Sequence, residues 1–462
     1  MCTCQTRVNA INSPDYLPVE ILRKLQWQKF QAVLNFTYSN VAWYREKMKE
    51  KGVKPEDIRS LDDVKYLPTI IKTDLRDTYP FGMMAVDMKD VVRVHASSGT
   101  TGKPIVLPYT RRDLEVWTES IARGMAGVGV TDKDVLQVSY GYGLFTGGLG
   151  AHQGGEFLGA TVVPMSGGNT ERQLNLMRDF GVTVIACTPS YFVHLISKAE
   201  EMGFDWKETK LRLGFFGAEP WTNEMRRSIE EAAGIKAYDI YGLTEISGPG
   251  VALDCVYQSG PHIFEDHFYP EILDPDTLEP VPDGEYGELV FTTLDKQAMP
   301  LIRYRTRDIT RLIPEKCECG RTIRRFDRIS HRSDDMMIIR GVNVFPGQIE
   351  AALLSVEGAV PHYQIILTRD ASGLDNIEVQ VEISADKFSD THREIDQFKK
   401  QVAAKIQHVT GIRIGVCLVE QADPSQRGKS PPRDRQPKQV NRSEKVTPPS
   451  SFRTRRGSRT GR

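Results

Sequence analysis

The stretch from Val91 to Tyr109 reads VVRVHASSGTTGKPIVLPY. It sets Ser97, Ser98, Gly99, Thr100, Thr101 and Gly102 between two apolar runs and closes the loop with Lys103. Small and hydroxyl residues in such a loop turn several N–H and O–H donors toward one anion, and the lysine adds a full charge. Phosphate is the usual occupant. The spacing is not that of a Walker A loop, which reads G-x-x-x-x-G-K-[ST]: only Thr100 and Thr101 separate the glycines here, and Pro104 follows the lysine. Alone, the loop reads equally well as a mobile hairpin turn. Four more stretches put polar residues directly after apolar runs. They are Gly217-Ala-Glu-Pro220, the segment Tyr238-Asp-Ile-Tyr-Gly-Leu-Thr-Glu245 ending on Thr244 and Glu245, Tyr304-Arg-Thr-Arg-Asp308, and Arg332-Ser-Asp-Asp335 with the MMIIRGVNVFP that follows. Singly, each is a solvated turn or a surface charge. Their joint order is much less expected by chance.

A second constellation is built for a metal. Cys317 and Cys319 form a CxC turn, and Cys255 and His262 lie upstream on neighbouring β-segments. Three sulfurs and one imidazole match a closed tetrahedral zinc site, and reduced cysteines in a turn are the alternative. Cys2 and Cys4 have no partners nearby.

The elements that must position these residues follow from periodicity. Leu17 to Lys51 is amphipathic and helical, and its Trp27, Phe30, Phe36 and Trp43 read as core. Leu114, Trp117, Ile121, Met125 and Val128 recur at helical spacing. Strands are expected at Val135–Val138, Ala160–Met165, Val182–Thr188, Leu211–Phe216 and Lys236–Tyr241, alternating with helices at Gly147–Leu158, Glu171–Asp179, after Pro189, and at Thr222–Ala233. This alternation predicts an α/β fold with a doubly wound, mostly parallel sheet whose ligands sit at the carboxyl ends of the strands. A β-rich subdomain is expected over about 251–328. Residues Asp334 to Glu420 read as a small α+β unit, with a helix opened by Pro346. The expected domains are therefore 1–333, 334–423 and a tail, 424–462.

Composition bounds the function. The 462 residues are 40% hydrophobic and 26% charged, ordinary for a globular protein of two or three domains. Net charge is −1, but Pro424 to Arg462 holds twelve Lys or Arg against Asp434 and Glu444, a net +10 that leaves −11 for the rest. An acidic body argues against nucleic acid as the main partner. No run approaches the roughly eighteen apolar residues of a membrane span. No secretory signal opens the chain, and seven cysteines do not make a disulfide scaffold, so a cytoplasmic location is expected.

From Leu17 to Glu420 the chain resembles the adenylate-forming (acyl-CoA synthetase and luciferase-like) enzymes, and within them the phenylacetate–CoA ligases. The resemblance lies in SSGTTGKP, GYGLFTGGLGAHQGGEFLGATVVP, YGLTEISGPGVA, MPLIRYRTRDIT and RSDDMMIIRGVNVFPGQIE. It implies that an aryl acid, ATP and CoA are the partners, with neither nucleic acid nor membrane, and it allows a homodimer. The carboxylate attacks the α-phosphate to give acyl-AMP and pyrophosphate, and CoA then displaces AMP. Carried over residue by residue, Ser97 to Lys103 hold the β- and γ-phosphates, Thr244 the α-phosphate, Glu245 a Mg²⁺ ion and Asp308 the ribose hydroxyls. Gly217, Ala218 and Glu219 with Asp239, Ile240 and Tyr241 line the adenine, and Arg332 supports the ribose and phosphate side. Tyr142, Phe145, Ala218, Ile246 and Pro249 surround the aryl ring, in an apolar pocket that suits phenylacetate and equally benzoate-like or indoleacetate-like acids. Asp334 is the implied hinge of a mobile small domain, and Gly341, Val342 and Asn343 face the CoA channel. His331 departs from the glycine common in the family. Zinc-type cysteines occur in some phenylacetate ligase relatives and not in others. Two other readings are an adenylyltransferase that moves AMP to a non-acyl acceptor such as a deazaflavin cofactor, and an impaired binder of nucleotide and aryl acid.

The ending breaks the resemblance. The family's small domain closes on a loop like I-P-R-S-E-G-K-A whose lysine reaches the carboxylate and α-phosphate. Here only Gly428 and Lys429 survive, and an Arg/Pro/Ser-rich tail with almost no apolar residues follows, a composition that predicts disorder. Read one base on, codons available to Asp423 through Asn441 can spell Ile-Pro-Arg-Ser-Glu-Gly-Lys-Ala-Arg-Arg-Val-Ile-Asp-Asn-Arg, two further residues, and then a stop at Val440-Asn441. The tail is thus expected to be a frameshifted copy of the family ending, with Lys429 retained as the catalytic lysine.

Overall fold

The computed structural model describes residues 13–97, 104–329, 331–333, 337–339, 342–344, 346–356, 363–369, 375–383 and 392–420. They divide into two compact units, one drawn from Met1–Met337 with Phe345–Ser355, the other from Ile338–Val344 with Val356–Arg462.

In the large unit, α1 (Val19–Asn40) and α2 (Ala42–Lys51) open the chain. Leu22, Phe30, Val33 and Leu34 form the buried face of α1, and Trp27, Phe36 and Trp43 pack on the same core. After α3 (Lys72–Asp77), β1 (Val91–Ser97) and β2 (Ile105–Thr110) pair antiparallel, with Ser97 opposite Ile105. Helix α4 (Arg111–Gly127) starts in a capping box: Thr110 Oγ1 accepts from Asp113 N at 3.1 Å, and Asp113 Oδ2 accepts from Thr110 N at 2.8 Å. Trp117, Ile121 and Met125 are fully buried, as their spacing predicts; large apolar side chains contribute roughly 1.5–3 kcal/mol each on burial.

Alternation then builds the main sheet. Strands β3 (Val135–Val138), β4 (Thr161–Val163), β5 (Val184–Cys187), β6 (Leu213–Gly217) and β7 (Lys236–Leu243) are parallel. Between them run α5 (Gly147–Leu158), α6 (Thr170–Asp179), α7 (Pro189–Glu201) and α8 (Asn223–Ala233). Helix α5 is rich in glycine because it lies against α4: a Cβ on Gly150 would meet Trp117 Cζ2 at 2.7 Å. The edge strand β4 is shorter than its apolar run, since Ala160 N closes the end of α5 by donating to Gly155 O at 3.1 Å.

Strands β8 (Gly248–Leu253), β9 (His262–Ile263), β13 (Leu312–Ile313) and β14 (Arg325–Phe326) extend this sheet to nine strands, in the order β13-β14-β9-β8-β7-β6-β5-β3-β4. A second sheet, β10-β11-β12-β15, holds β10 (Phe268–Leu273), β11 (Gly287–Thr293), β12 (Tyr304–Thr310) and β15 (His331–Arg332). The expected β-rich region is thus shared between two sheets. Helix α9 (Pro346–Leu354), read from the sequence as part of the small domain, groups with the large unit. There Leu354 packs on the cluster around Phe192, Phe216 and Trp221.

The small unit contains the hairpin β16 (Met337–Ile339) and β17 (Val342–Val344). It also holds the three-stranded sheet β18 (Tyr363–Arg369), β19 (Asp375–Ile383) and β20 (Gly415–Glu420), with helix α10 (His392–Thr410). Among the described residues no helix is long and apolar enough to cross a membrane.

One buried ion network ties the N-terminus to the α4 layer. Arg123, fully buried, donates to both Asp266 oxygens and to Asp15 Oδ1, each at 2.7 Å. Burial raises the Asp266 carboxyl, but the charges of His267 and Arg123 outweigh it and hold the group well below the usual range. Its contribution is therefore present above the unfolded carboxylate pKa and lost only in strong acid. Asp266→Asn strands part of the Arg123 charge, and the expected loss is about 3–5 kcal/mol. Denaturant unfolding near neutral pH checks it.

Candidate active site

The strand ends of the main sheet open into a cavity of about 340 Å³. Strand β6 delivers Gly217 and Ala218 to its wall, and β7 delivers Asp239, Tyr241 and the turn Thr244–Glu245. Ala218 holds φ = +70°, a left-handed conformation that non-glycine residues adopt at a cost, so the strand ends in an abrupt turn at the ligand space. Gly217 and Gly242 are required by close approach, since a Cβ on either would run into the carbonyl of Ile240 or Gly248, respectively.

Two carboxylates, Asp308 and Glu245, line the cavity. Asp308, on β12, accepts from Tyr241 Oη at 2.6 Å and from Arg332 Nη1 at 2.9 Å. Strand pairing explains the second contact, because Asp308 and Arg332 are register partners across β12 and β15. Glu245 is buried, 4% exposed, and lies 3.2 Å from Lys72 Nζ through Oε1. That is ion-pair distance without hydrogen-bond geometry, and Oε1 has no hydrogen-bond partner among the described residues. A buried carboxylate oxygen without a hydrogen-bond partner, facing a cavity, fits a hard cation. Thr244 Oγ1 lies 3.2 Å from Thr146 Oγ1, which also faces the cavity.

At the other end, Arg328 stacks over the Trp221 ring at 4.4 Å and donates to the Trp221 carbonyl at 2.8 Å. Desolvation pushes the Asp239 carboxyl up to about 6, against the attraction of Arg328 and with repulsion from Asp254. Glu219 lines the wall but spends one oxygen on Ser190 N, 2.7 Å away, at the start of α7.

Of the residues singled out in the sequence, the cavity brings together Ser97, Phe145, Gly217, Ala218, Glu219, Asp239, Ile240, Tyr241, Thr244, Glu245, Pro249, Asp308 and Arg332. Two expected ring contacts lie elsewhere. Tyr142 is not in the cavity lining; its hydroxyl meets His152 Nδ1 at 3.1 Å. The Ile246 side chain is fully buried and faces a small void behind the turn. Ser98, Gly99, Thr100, Thr101, Gly102, Lys103, Asp334, Gly341 and Lys429 lie outside the described residues; Val342 and Asn343 are on β17. Sequence reasoning missed Lys72, Thr146, Trp221 and Arg328. Thr146 lies within the GYGLFTGGLG stretch and Trp221 directly after Gly217-Ala-Glu-Pro220, so neighbouring motifs were a signal for those two; Lys72 and Arg328 sit in no such pattern and reach the cavity through the fold.

The cysteine cluster is assembled. The ligand atoms of Cys255, His262, Cys317 and Cys319 lie within 4.8 Å of one another. Cys255 Sγ is 3.6 Å from Cys317 Sγ, and Cys319 Sγ is 3.5 Å from His262 Nε2. The first separation is too long for a disulfide and near the about 3.8 Å edge of a tetrahedron with Zn–S bonds of about 2.3 Å. His262 Nδ1 lies 3.2 Å from the Ile323 carbonyl, which fixes the ring with Nε2 toward the sulfurs.

A cavity at the carboxyl ends of a parallel sheet, with an open carboxylate and a tyrosine-held aspartate, defines a nucleotide-handling α/β enzyme. An AMP-binding enzyme family model matches residues 28–294, and a model of the AMP-binding enzyme C-terminal domain matches residues 341–431. Phenylacetate-coenzyme A ligase of Escherichia coli strain K12 is 51% identical over 403 residues, covering 87% of this chain and 91% of that one. The Thermus thermophilus ligase of the same name is 48% identical over 428 residues, covering 89% and 96%. A crystal structure of 2-hydroxyisobutyryl-CoA ligase in complex with 2-HIB-AMP superposes with a TM-score of 0.82 at 29% identity, covering 88% of each chain. The chain belongs to the AMP-binding, adenylate-forming enzymes and, within them, to the phenylacetate–CoA ligase family.

Proposed function

We propose that the chain activates an aryl acid, phenylacetate first, through its acyl-adenylate to the CoA thioester. The observation that carries this reading is the pairing in one cavity of an open, buried Glu245 with a ribose-type aspartate, Asp308, beside an apolar wall of Phe145, Ala218 and Pro249. The ring rests on that wall. A carboxylate oxygen then attacks the α-phosphorus in line, one P–O bond forms, and the bond to pyrophosphate breaks. Thr244 and Lys72 donate to the phosphate oxygens as charge shifts among them. Such positioning and charge neutralisation are the main needs of phosphoryl chemistry. Glu245 would hold Mg²⁺, which supplies charge neutralisation at the phosphates. Asp308, fixed by Tyr241 and Arg332, keeps the ribose in place while the thiolate attacks the acyl carbon and AMP leaves. Roles for Lys103, Lys429, the hinge Asp334 and the CoA-facing Gly341 to Asn343 rest on the family resemblance.

Incubation with ATP, Mg²⁺ and phenylacetate, with and without CoA, tests the reading by product analysis. Phenylacetyl-CoA with AMP is the expected outcome. Transfer of AMP to a deazaflavin-type acceptor with no thioester would contradict it, as would binding of nucleotide and acid by a tail-repaired chain without pyrophosphate release.

We also propose a structural zinc at Cys255, His262, Cys317 and Cys319, supported by the donor set and by the fixed imidazole. The chain is expected to purify with about one zinc. Chelation and Cys317→Ser should each lower the melting temperature, read by calorimetry with elemental analysis, because metal binding free energy is folding free energy. A melting temperature indifferent to both would remove the proposal.

A further inference from the structure

Behind the Thr244–Glu245 turn sits a lysine that the chemistry above does not use. Lys296 follows β11 and is 7% exposed. Its ammonium lies 4.0 Å from the centroid of the Tyr109 ring and donates to the Ile246 carbonyl at 3.1 Å. Asp113 brings it there. The same carboxylate that caps α4 also accepts from Gln297 N at 2.6 Å and Ala298 N at 3.0 Å, the two peptide groups after the lysine. The rest of the turn is held from the same side. Tyr109 Oη donates to the carbonyls of Ser247 at 3.2 Å and Thr244 at 3.5 Å, and Trp117 Nε1 donates to Pro249 O at 2.8 Å. Four carbonyls between Thr244 and Pro249 are thus tied to side chains outside the turn, while Thr244 and Glu245 face the cavity.

No carboxylate among the described residues forms an ion pair with Lys296; Asp113 and Glu245 act on it through space. Desolvation pulls its pKa down to about 8 against those two attractions. A lone buried ammonium costs stability that an apolar side chain of the same shape would not. What it adds over such a side chain is a charge-assisted hydrogen bond to the Ile246 carbonyl, which ties down the backbone directly after Glu245.

We propose that Lys296 is a positioning residue: acting through the Ile246 carbonyl, it fixes the Thr244–Glu245 turn in the geometry that holds the cation and the α-phosphate. This rests on the reading of Glu245 as the metal-holding carboxylate. Tyr109 joins the device to the phosphate loop, because it lies on β2, the strand that leaves that loop.

The test compares Lys296→Met, Lys296→Gln and Lys296→Arg in the full chain. Two readouts are needed: pyrophosphate release against Mg²⁺ concentration, and calorimetric binding of a non-hydrolysable ATP analogue with and without Mg²⁺. Partners that orient a metal ligand from behind are typically worth about 10–100-fold in metal affinity or activity. Lys296→Met should therefore raise the half-saturating Mg²⁺ about tenfold, with KM for the aryl acid unchanged. Lys296→Gln, which keeps a donor without the charge, should fall between, and Lys296→Arg should recover most of the loss. A merely structural lysine would lower the melting temperature and leave the Mg²⁺ dependence alone; that result in Lys296→Met overturns the proposal. If Lys296→Met does not fold, wild-type Mg²⁺ dependence in Lys296→Gln overturns it equally. If the wild-type chain forms no acyl-adenylate, the reading of the reaction fails first. The calorimetry still decides: weakening of only the Mg²⁺-dependent binding supports Lys296, and unchanged binding refutes it.

Discussion

Glu245→Gln is expected to slow acyl-adenylate formation by about 10²- to 10³-fold, the range seen when one preorganised charge-stabilising group is removed from an active site. The substitution keeps the shape of the side chain, so the fold should survive. What disappears is the negative charge at a site where Oε1 is buried without a hydrogen-bond partner and, among the described residues, has Lys72 at ion-pair distance. Removing the carboxylate also leaves Lys72 as an uncompensated charge at the phosphates, so nucleotide binding should weaken less than turnover. Single-turnover release of pyrophosphate, with melting temperature measured alongside, separates the two effects. A rate equal to that of the unaltered chain would remove Glu245 from the chemistry. Loss of rate together with loss of fold would leave the side chain a structural part.

Restoring the family ending should have the second-largest effect. In the chain as it stands, Lys429 is followed by Ser430-Pro-Pro432 instead of the residues that flank the lysine in relatives. The family resemblance gives this lysine the adenylation step, and a misplacement of a catalytic group by roughly 1 Å costs about a hundredfold. A chain rebuilt from Asp423 to read Ile-Pro-Arg-Ser-Glu-Gly-Lys-Ala-Arg-Arg-Val-Ile-Asp-Asn-Arg is therefore expected to form acyl-AMP about a hundred times faster. Lys→Ala at the restored position should return it to the starting rate. The thioester-forming step, assayed from preformed phenylacetyl-AMP and CoA, should change little if the lysine serves the first step, as the family resemblance implies. Equal adenylation by the two chains would show that the altered tail costs nothing. The gene sequence gives an independent check on the frameshift: a second frame that does not encode the family ending would exclude it.

The sequence carried the main sheet because its strands and helices are separated by clear changes of period, from Val135 through Tyr241, and each apolar face ends where the chain turns. The glycines of α5 were legible as a helix, but their reason was not; it needs α4 to lie close enough for Trp117 to touch Gly150. Cavity-lining residues were legible where a motif ends or follows a strand, as at Gly217, Thr244 and Glu245; Asp308, read from the sequence as following an apolar run, lies within β12 and faces the cavity from the strand itself. They were not legible where the fold alone brings them in. Lys72 comes from a short helix far upstream of Glu245, and Arg328 and Trp221 meet across 107 positions of sequence. Ile246 shows the limit of motif transfer. Its place beside Glu245 is clear from YGLTEIS, yet its side chain turns into the core, and its carbonyl, held by Lys296, is what bears on the site. For α9, the packing of Leu354 on the cluster that holds Phe192 and Trp221 was not legible, because no local pattern announces a partner so far away in sequence.

The central claim is that an acid is activated through its adenylate, and the fate of one oxygen tests it most directly. Phenylacetate labelled with oxygen-18 in the carboxylate is incubated with ATP, Mg²⁺, CoA and the chain carrying the restored ending, and the AMP is analysed by mass spectrometry. Attack of the carboxylate on the α-phosphorus, followed by cleavage of the acyl C–O bond by the thiolate, leaves a single labelled oxygen on the phosphate of AMP for each thioester formed. Labelled AMP in step with phenylacetyl-CoA is the predicted result. Unlabelled AMP, or ADP with inorganic phosphate in its place, would contradict the account.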